Sequence, residues 1–122
     1  MKLLIVEDNP LIAEAVEVAG KQLRLESDLA TDGWDAIDKL HDRRYDAIVI
    51  DTDLPRRSGF GVLAYLREEN GDHLDHVILI SADKEDVRRR TDHQLPVIRK
   101  TEVADAIGDA MTTLLETASS RS

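Results

Sequence analysis

Five short apolar runs separated by amphipathic stretches constrain this chain more than any other feature. The runs are Leu3 to Val6, a weaker Leu25 to Ala30, Ala47 to Ile50, Val77 to Ile80 and Pro96 to Ile98, each of strand length. Between them apolar residues recur at helical spacing: Ile12, Ala15, Val16, Ala19 and Leu23, then Ala36, Ile37 and Leu40, then Val62, Leu63 and Leu66. A last stretch sets Val103, Ala106, Ile107, Ala110, Met111 and Leu114 on one side. The helix from Asp83 to about Asp92 has the weakest signal, since Val87 is its one clearly apolar residue.

The first, third and fourth runs are apolar throughout, the pattern of parallel strands covered on both faces. A βα unit repeated five times places the chain in the α/β class, and right-handed crossovers leave few topologies. The prediction is a flavodoxin-like (βα)5 doubly wound parallel sheet of order 2-1-3-4-5, with ligands bound beyond the carboxyl ends of its strands. At 122 residues and 42% hydrophobic content the chain suffices for one core. The domain is expected over 1–118, with 119–122 as a disordered tail.

Composition narrows the function. There are no cysteines, so thiolate zinc sites and cysteine nucleophiles are excluded and a cytoplasmic setting is expected. A formal charge of −9 opposes direct nucleic-acid binding. Six residues precede the acids Glu7 and Asp8, too few for a signal sequence, and no apolar run is long enough for a membrane span.

The chemistry collects at the strand ends. Glu7 and Asp8 follow the first run, Asp51 and Asp53 lie at and after the third, Ser81 ends the fourth and Lys100 follows the fifth. A single carboxylate there is ordinarily a cap or turn former. Four around one crevice repel one another and call for a divalent cation. With no His or Cys in the set, oxygen ligands favour Mg2+ over zinc, and magnesium commonly shares itself with a phosphate. Asp51 is then a carboxylate nucleophile forming an acyl phosphate, with Lys100 offsetting charge, Ser81 donating its hydroxyl and the small Ala82 leaving room.

Taken in order, these residues resemble the receiver domain of two-component response regulators, over essentially the whole chain from Lys2 to about Thr117. The segment Asp51-Thr-Asp-Leu-Pro55-Arg-Arg-Ser-Gly59 is similar to that family's phosphoacceptor block, and Glu7-Asp8, Ser81-Ala82 and Lys100 occupy its other signature positions. The resemblance implies that Glu7, Asp8, Asp51 and the main-chain carbonyl of Asp53 hold Mg2+. It implies that a histidine kinase or histidine phosphotransfer protein phosphorylates Asp51, and that helix 4, strand 5 and helix 5 then change as a binding surface for a downstream protein. The chain is expected to be a single-domain regulator, monomeric or weakly dimeric.

Departures from the family pattern bear on mechanism. Val97 stands where the family usually has Tyr or Phe, and no aromatic residue follows Tyr65. A rearrangement of backbone and helix 4 is therefore expected in place of a turning ring. Thr101 replaces the proline that commonly follows the lysine, so a trans peptide is expected there, with Thr101 capping the final helix. Asp53 and Asp83, two residues after Asp51 and Ser81, are placed to orient or repel water near an acyl phosphate, which favours a short-lived one.

Arg88, Arg89 and Arg90, with Arg99, form a basic patch in an acidic protein, either a solvated helix face or a surface for an acidic partner or for Asp105 and Asp109 of a second copy. Arg56 and Arg57 either meet the incoming kinase or are solvated. His73 and His76 lack a third ligand, Trp34 packs locally, and Asp92-His93 lacks a serine or cysteine for a triad. Two rivals remain. A haloacid-dehalogenase-type phosphatase shares Asp51-Thr-Asp53, but its motif lies on the first strand of a longer chain. A phosphorylation-independent pseudo-receiver is supported by Val97 and opposed by the retained acids, Ser81 and Lys100.

Overall fold

The computed structural model describes all residues but 57, 70–73, 92–93 and 122, together with the backbone but not the side chains of 118–121. Its strands are β1 Lys2–Val6, β2 Glu26–Ala30, β3 Ala47–Asp51, β4 Val77–Ser81 and β5 Val97–Arg99, and its helices are α1 Pro10–Gln22, α2 Gly33–Asp42, α3 Gly59–Glu68, α4 Lys84–Arg90 and α5 Val103–Arg121. All four strand pairings are parallel and the order is β2-β1-β3-β4-β5. The predicted topology is the one found.

Strand alternation divides the core in two. Leu4, Val6, Ile48, Ile50, Leu79 and Val97 pack in one cluster with Ala36, Val62, Leu66 and Val87, under α2, α3 and α4. Leu3, Ile5, Val49, Ile78 and Ile80 pack in the other with Val16, Ile107 and Met111, under α1 and α5. β3 and β4 are buried at every position, which explains their unbroken apolar sequence. β2 is an edge strand with one fully buried residue, Ala30, so its pattern was weak. Among the described residues no helix is long and apolar enough to cross a membrane.

Helix ends follow local chemistry. Asn9 accepts main-chain hydrogen bonds from Leu11 at 2.9 Å and Ile12 at 3.4 Å, and Pro10 opens α1 where its missing N–H costs nothing. Asp83 caps α4 through Asp86 N–H at 3.1 Å. That helix stops at Arg90 with Thr91 as its C-cap, short of the expected Asp92, which lies outside the described residues with His93. Thr101 does not cap α5. It sits inside a single 3-10 turn, Lys100–Glu102, that has no side-chain cap of its own, and no cis peptide occurs among the described residues. α5 runs from Val103 to Arg121.

At the β2 edge, Tyr45 donates to Asp28 Oδ2 at 2.7 Å, with Arg43 3.3 Å and Lys2 4.0 Å from the same oxygen. The tyrosine hydrogen bond is the main reason the Asp28 carboxyl is held below its ordinary value of 3.8. A carboxyl lowered on folding contributes stability above its ordinary value and loses it as pH falls through the folded one. Tyr45→Phe is therefore expected to cost about 1 kcal/mol at neutral pH and less at pH values near 3, which urea denaturation at both conditions would check.

Candidate functional site

β1, β3 and β4 end side by side, and their last residues converge. Glu7 and Asp51 are buried, and Asp8 is exposed beside them. One carboxylate oxygen from each lies within 4.8 Å of the other two, and among the described residues this is the group of acids or histidines so placed. Glu7 Oε1 accepts Asn9 N–H at 3.0 Å and Asp51 Oδ1 accepts Asp53 N–H at 2.8 Å, so both carboxylates are held by the turns that follow their strands. Their second oxygens, Glu7 Oε2 and Asp51 Oδ2, are buried without a directed hydrogen bond.

The electrostatics follow from that burial. Desolvation, with the Asp51 carboxylate adding to it against the pull of Asn9 N–H, pushes Glu7 from 4.5 up to about 8. Lys100 approaches Asp51 Oδ2 at 3.2 Å as an ion pair. Partial burial by itself would lower the lysine, but the carboxylates of Asp51, Asp53 and Glu7 together more than offset this and its ammonium is held above the ordinary value. Two buried oxygens with unused lone pairs, a third acid at the rim and no soft ligand fit a hard divalent cation.

The phosphoryl side of the crevice is also assembled, and the Asp53 side chain occupies it. Asp53 is half exposed, and its Oδ2 lies 3.6 Å from Lys100 Nζ and accepts Ala82 N–H at 3.4 Å. It therefore sits on two donors that an incoming anion would want. Ser81 is buried and its Oγ accepts Asp83 N–H at 3.0 Å. Asp83 turns its own carboxylate to the α4 cap, so of these two acids it is Asp53 whose side chain reaches the Lys100 end of the crevice. Thr52, buried, was missed by sequence reasoning; its hydroxyl donates to Ile80 O at 3.4 Å and its N–H to the same oxygen at 2.9 Å, tying β3 to β4 beside Asp51.

Gly59 explains the spacing of the block after Asp51. A Cβ on it would lie 2.4 Å from Asp51 O and 2.7 Å from Thr52 Cα, so the start of α3 rests directly on the main chain that carries Asp51.

The sequence pattern of the response regulator receiver domain matches residues 3–96. The chain belongs to that family. The matched segment ends at Pro96, the residue before β5. The transcriptional regulatory protein DltR of Streptococcus agalactiae is 41% identical over 68 residues, 56% of this chain and 30% of DltR, so the matched segment is under a third of that relative. The Francisella response regulator 1452 receiver domain superposes with a TM-score of 0.81 at 24% identity, covering 96% of this chain and 98% of that one. TrrA of Thermotoga maritima, solved with Mg2+-BeF, gives 0.77 at 24% identity over 93% and 98% of the two chains. At such identities the superpositions establish the fold.

Other predicted residues of this receiver domain fall as follows. Val97 is buried in the α2–α4 core cluster. The arginines of α4 have acidic neighbours on their own helix: Arg88 with Glu85 at 3.9 Å, Arg89 with Asp86 at 3.6 Å and Arg90 with Asp86 at 3.8 Å. Arg99 meets Glu102 at 3.5 Å. Arg56, at a φ of 66°, reaches Asp32 at 3.4 Å, while Arg57 and His73 lie outside the described residues. Trp34 is half exposed.

Proposed function

We propose that this receiver domain accepts a phosphoryl group on Asp51 from the phosphohistidine of a kinase or phosphotransfer protein. The observation that carries the reading is the pair of buried, underused carboxylate oxygens on Glu7 and Asp51, with Lys100 3.2 Å from that of Asp51. Structure maintained for its own sake has no need of such crowding. Asp51 Oδ1 is fixed by Asp53 N–H, so Oδ2 is the oxygen with lone pairs available to form the new O–P bond. The P–N bond of the donor breaks, and its imidazole keeps the electron pair and takes up a proton.

Lys100 balances charge at Oδ2. Ser81 donates to a phosphoryl oxygen, and Ala82 offers its N–H and the space of a small side chain once Asp53 swings aside. Magnesium, held by Glu7, Asp8, Asp51 and the main-chain carbonyl of Asp53, would supply neutralisation of the transferring phosphoryl group. Incubation with acetyl phosphate and Mg2+ should add the mass of one phosphoryl group at Asp51, and an unmodified protein that also ignores beryllofluoride would favour the pseudo-receiver.

The half-exposed Asp53 carboxylate is a candidate to orient the water that hydrolyses the acyl phosphate. A short-lived phosphoprotein is expected, and Asp53→Asn should lengthen its lifetime. A lifetime of many hours for the unsubstituted magnesium-bound form counts against this.

The output surface is proposed at α4, β5 and α5, in a cytoplasmic protein. Surface ion pairs as exposed as Arg88–Glu85 and Arg89–Asp86 contribute about 0.5 kcal/mol each, so both guanidiniums can exchange partners. Reversing the charge of Arg88 and Arg89 is expected to leave acetyl phosphate labelling intact and abolish capture of the acidic downstream partner. Unchanged capture, read by co-purification, would remove this patch from the interface.

A further inference from the structure

α4 is a short helix of seven residues with one buried side chain, Val87, so core packing alone holds it weakly. Its two ends are secured differently. At the N-terminal end Asp83 carries the helix: its carboxylate accepts Asp86 N–H, its carbonyl accepts Val87 N–H at 3.2 Å, and its own N–H donates to Ser81 Oγ. At the C-terminal end the Arg90 guanidinium lies 3.8 Å from the centroid of the Phe60 ring, a cation–π contact that crosses from α4 to α3. Asp86 pairs with the same arginine at 3.8 Å and helps hold it over the ring.

Phe60 is itself tied to the phosphoacceptor. It follows Gly59, whose backbone is pressed against Asp51 and Thr52 without room for a methyl group, and it packs against the α2–α4 core cluster. Asp51, Gly59, Phe60, Arg90 and α4 thus form one continuous line of contacts. Val97 offers no alternative route through a turning ring, because its β-branched side chain is stiff at χ1 and buried among Leu79 and Val87.

We propose that the stack of Arg90 on Phe60 anchors the C-terminal end of α4 to α3, so that changes at Asp51 and Ser81 turn α4 about that fixed end. This rests on phosphoryl transfer to Asp51 as proposed above. When Ser81 Oγ turns toward a phosphoryl oxygen it leaves Asp83 N–H, and the N-terminal end of α4 is freed while the other end stays on Phe60.

Amide hydrogen exchange of the full chain, free and with Mg2+ and beryllofluoride, tests this. In the unsubstituted protein beryllofluoride should speed exchange at Asp86 and Val87 and leave Arg90 and Thr91 unchanged. In the free protein Phe60→Leu, which keeps apolar volume but no ring, and Arg90→Lys, which keeps charge but no planar fork, should each exchange about threefold faster at Arg90 and Thr91, the size of one exposed cation–π contact. With beryllofluoride bound, the Phe60→Leu response should spread to both ends. Unsubstituted rates at Arg90 and Thr91 in both variants would overturn the anchor, as would a beryllofluoride response of equal size at both ends of α4 in the unsubstituted protein. Failure of that protein to bind beryllofluoride, read by fluorine NMR, would overturn the assignment of Asp51 and with it the turning of α4, whereas the anchor is decided in the free protein.

Discussion

Asp51→Asn is expected to abolish phosphoryl uptake from acetyl phosphate and to leave the domain folded with equal or greater stability. The amide keeps an oxygen for Asp53 N–H but has no charge with which to attack phosphorus. It also removes a buried negative charge from beside Glu7, whose elevation is partly the work of Asp51. Lys100 loses its pair with Asp51 but keeps Asp53 at 3.6 Å, and at 30% side-chain exposure it remains in contact with water. Relieving a crowded buried charge in this way should gain about 1 kcal/mol. Intact-mass analysis and thermal denaturation together check both halves. A variant that still gained a phosphoryl group would move the acceptor elsewhere.

Gly59→Ala should destabilise this domain strongly. The new Cβ would collide with backbone on two residues, Asp51 O at 2.4 Å and Thr52 Cα at 2.7 Å, and with Ile50 Cγ2 at 2.9 Å. Backbone in the central strand of a sheet cannot step aside, so α3 must lift or β3 must bend. A cost of about 3 kcal/mol is expected, lowering the melting temperature by about 10 °C. Gly108→Ala is the matched control. A Cβ there meets nothing within 4 Å, and removing a glycine from inside α5 should stabilise by about 1 kcal/mol. Similar melting temperatures for the two variants would refute the close-approach account of Gly59.

Much of this was readable beforehand for a physical reason. Strands buried on both faces must be apolar throughout, so β1, β3 and β4 stand out in one dimension, and the strand ends then bring Glu7, Asp8, Asp51, Ser81 and Lys100 together without further information. What escaped was set by side chains meeting across separate elements. The place of the Asp53 side chain, against Lys100 and Ala82 N–H, is a contact between residues far apart in sequence. Asp83 reads as an acid near the phosphate and is instead engaged in a cap. Arg90 belongs, in sequence, to a run of like charges, and nothing local distinguishes the arginine that reaches a ring 30 positions earlier in the chain.

The margins of the sheet carry a consequence for self-association. A parallel sheet exposes unpaired N–H and C=O groups along its outer strands, and such edges recruit further strands unless they are blunted. β2 carries Glu26 and Asp28 together with the cations they attract, Lys2 and Arg43, so a strand arriving there would have to strip water from a row of charges. β5 is three residues long, entered from Pro96 and left through the 3-10 turn at Lys100, which leaves almost no ladder to extend. Both borders are thereby poor templates for strand addition and polymerisation.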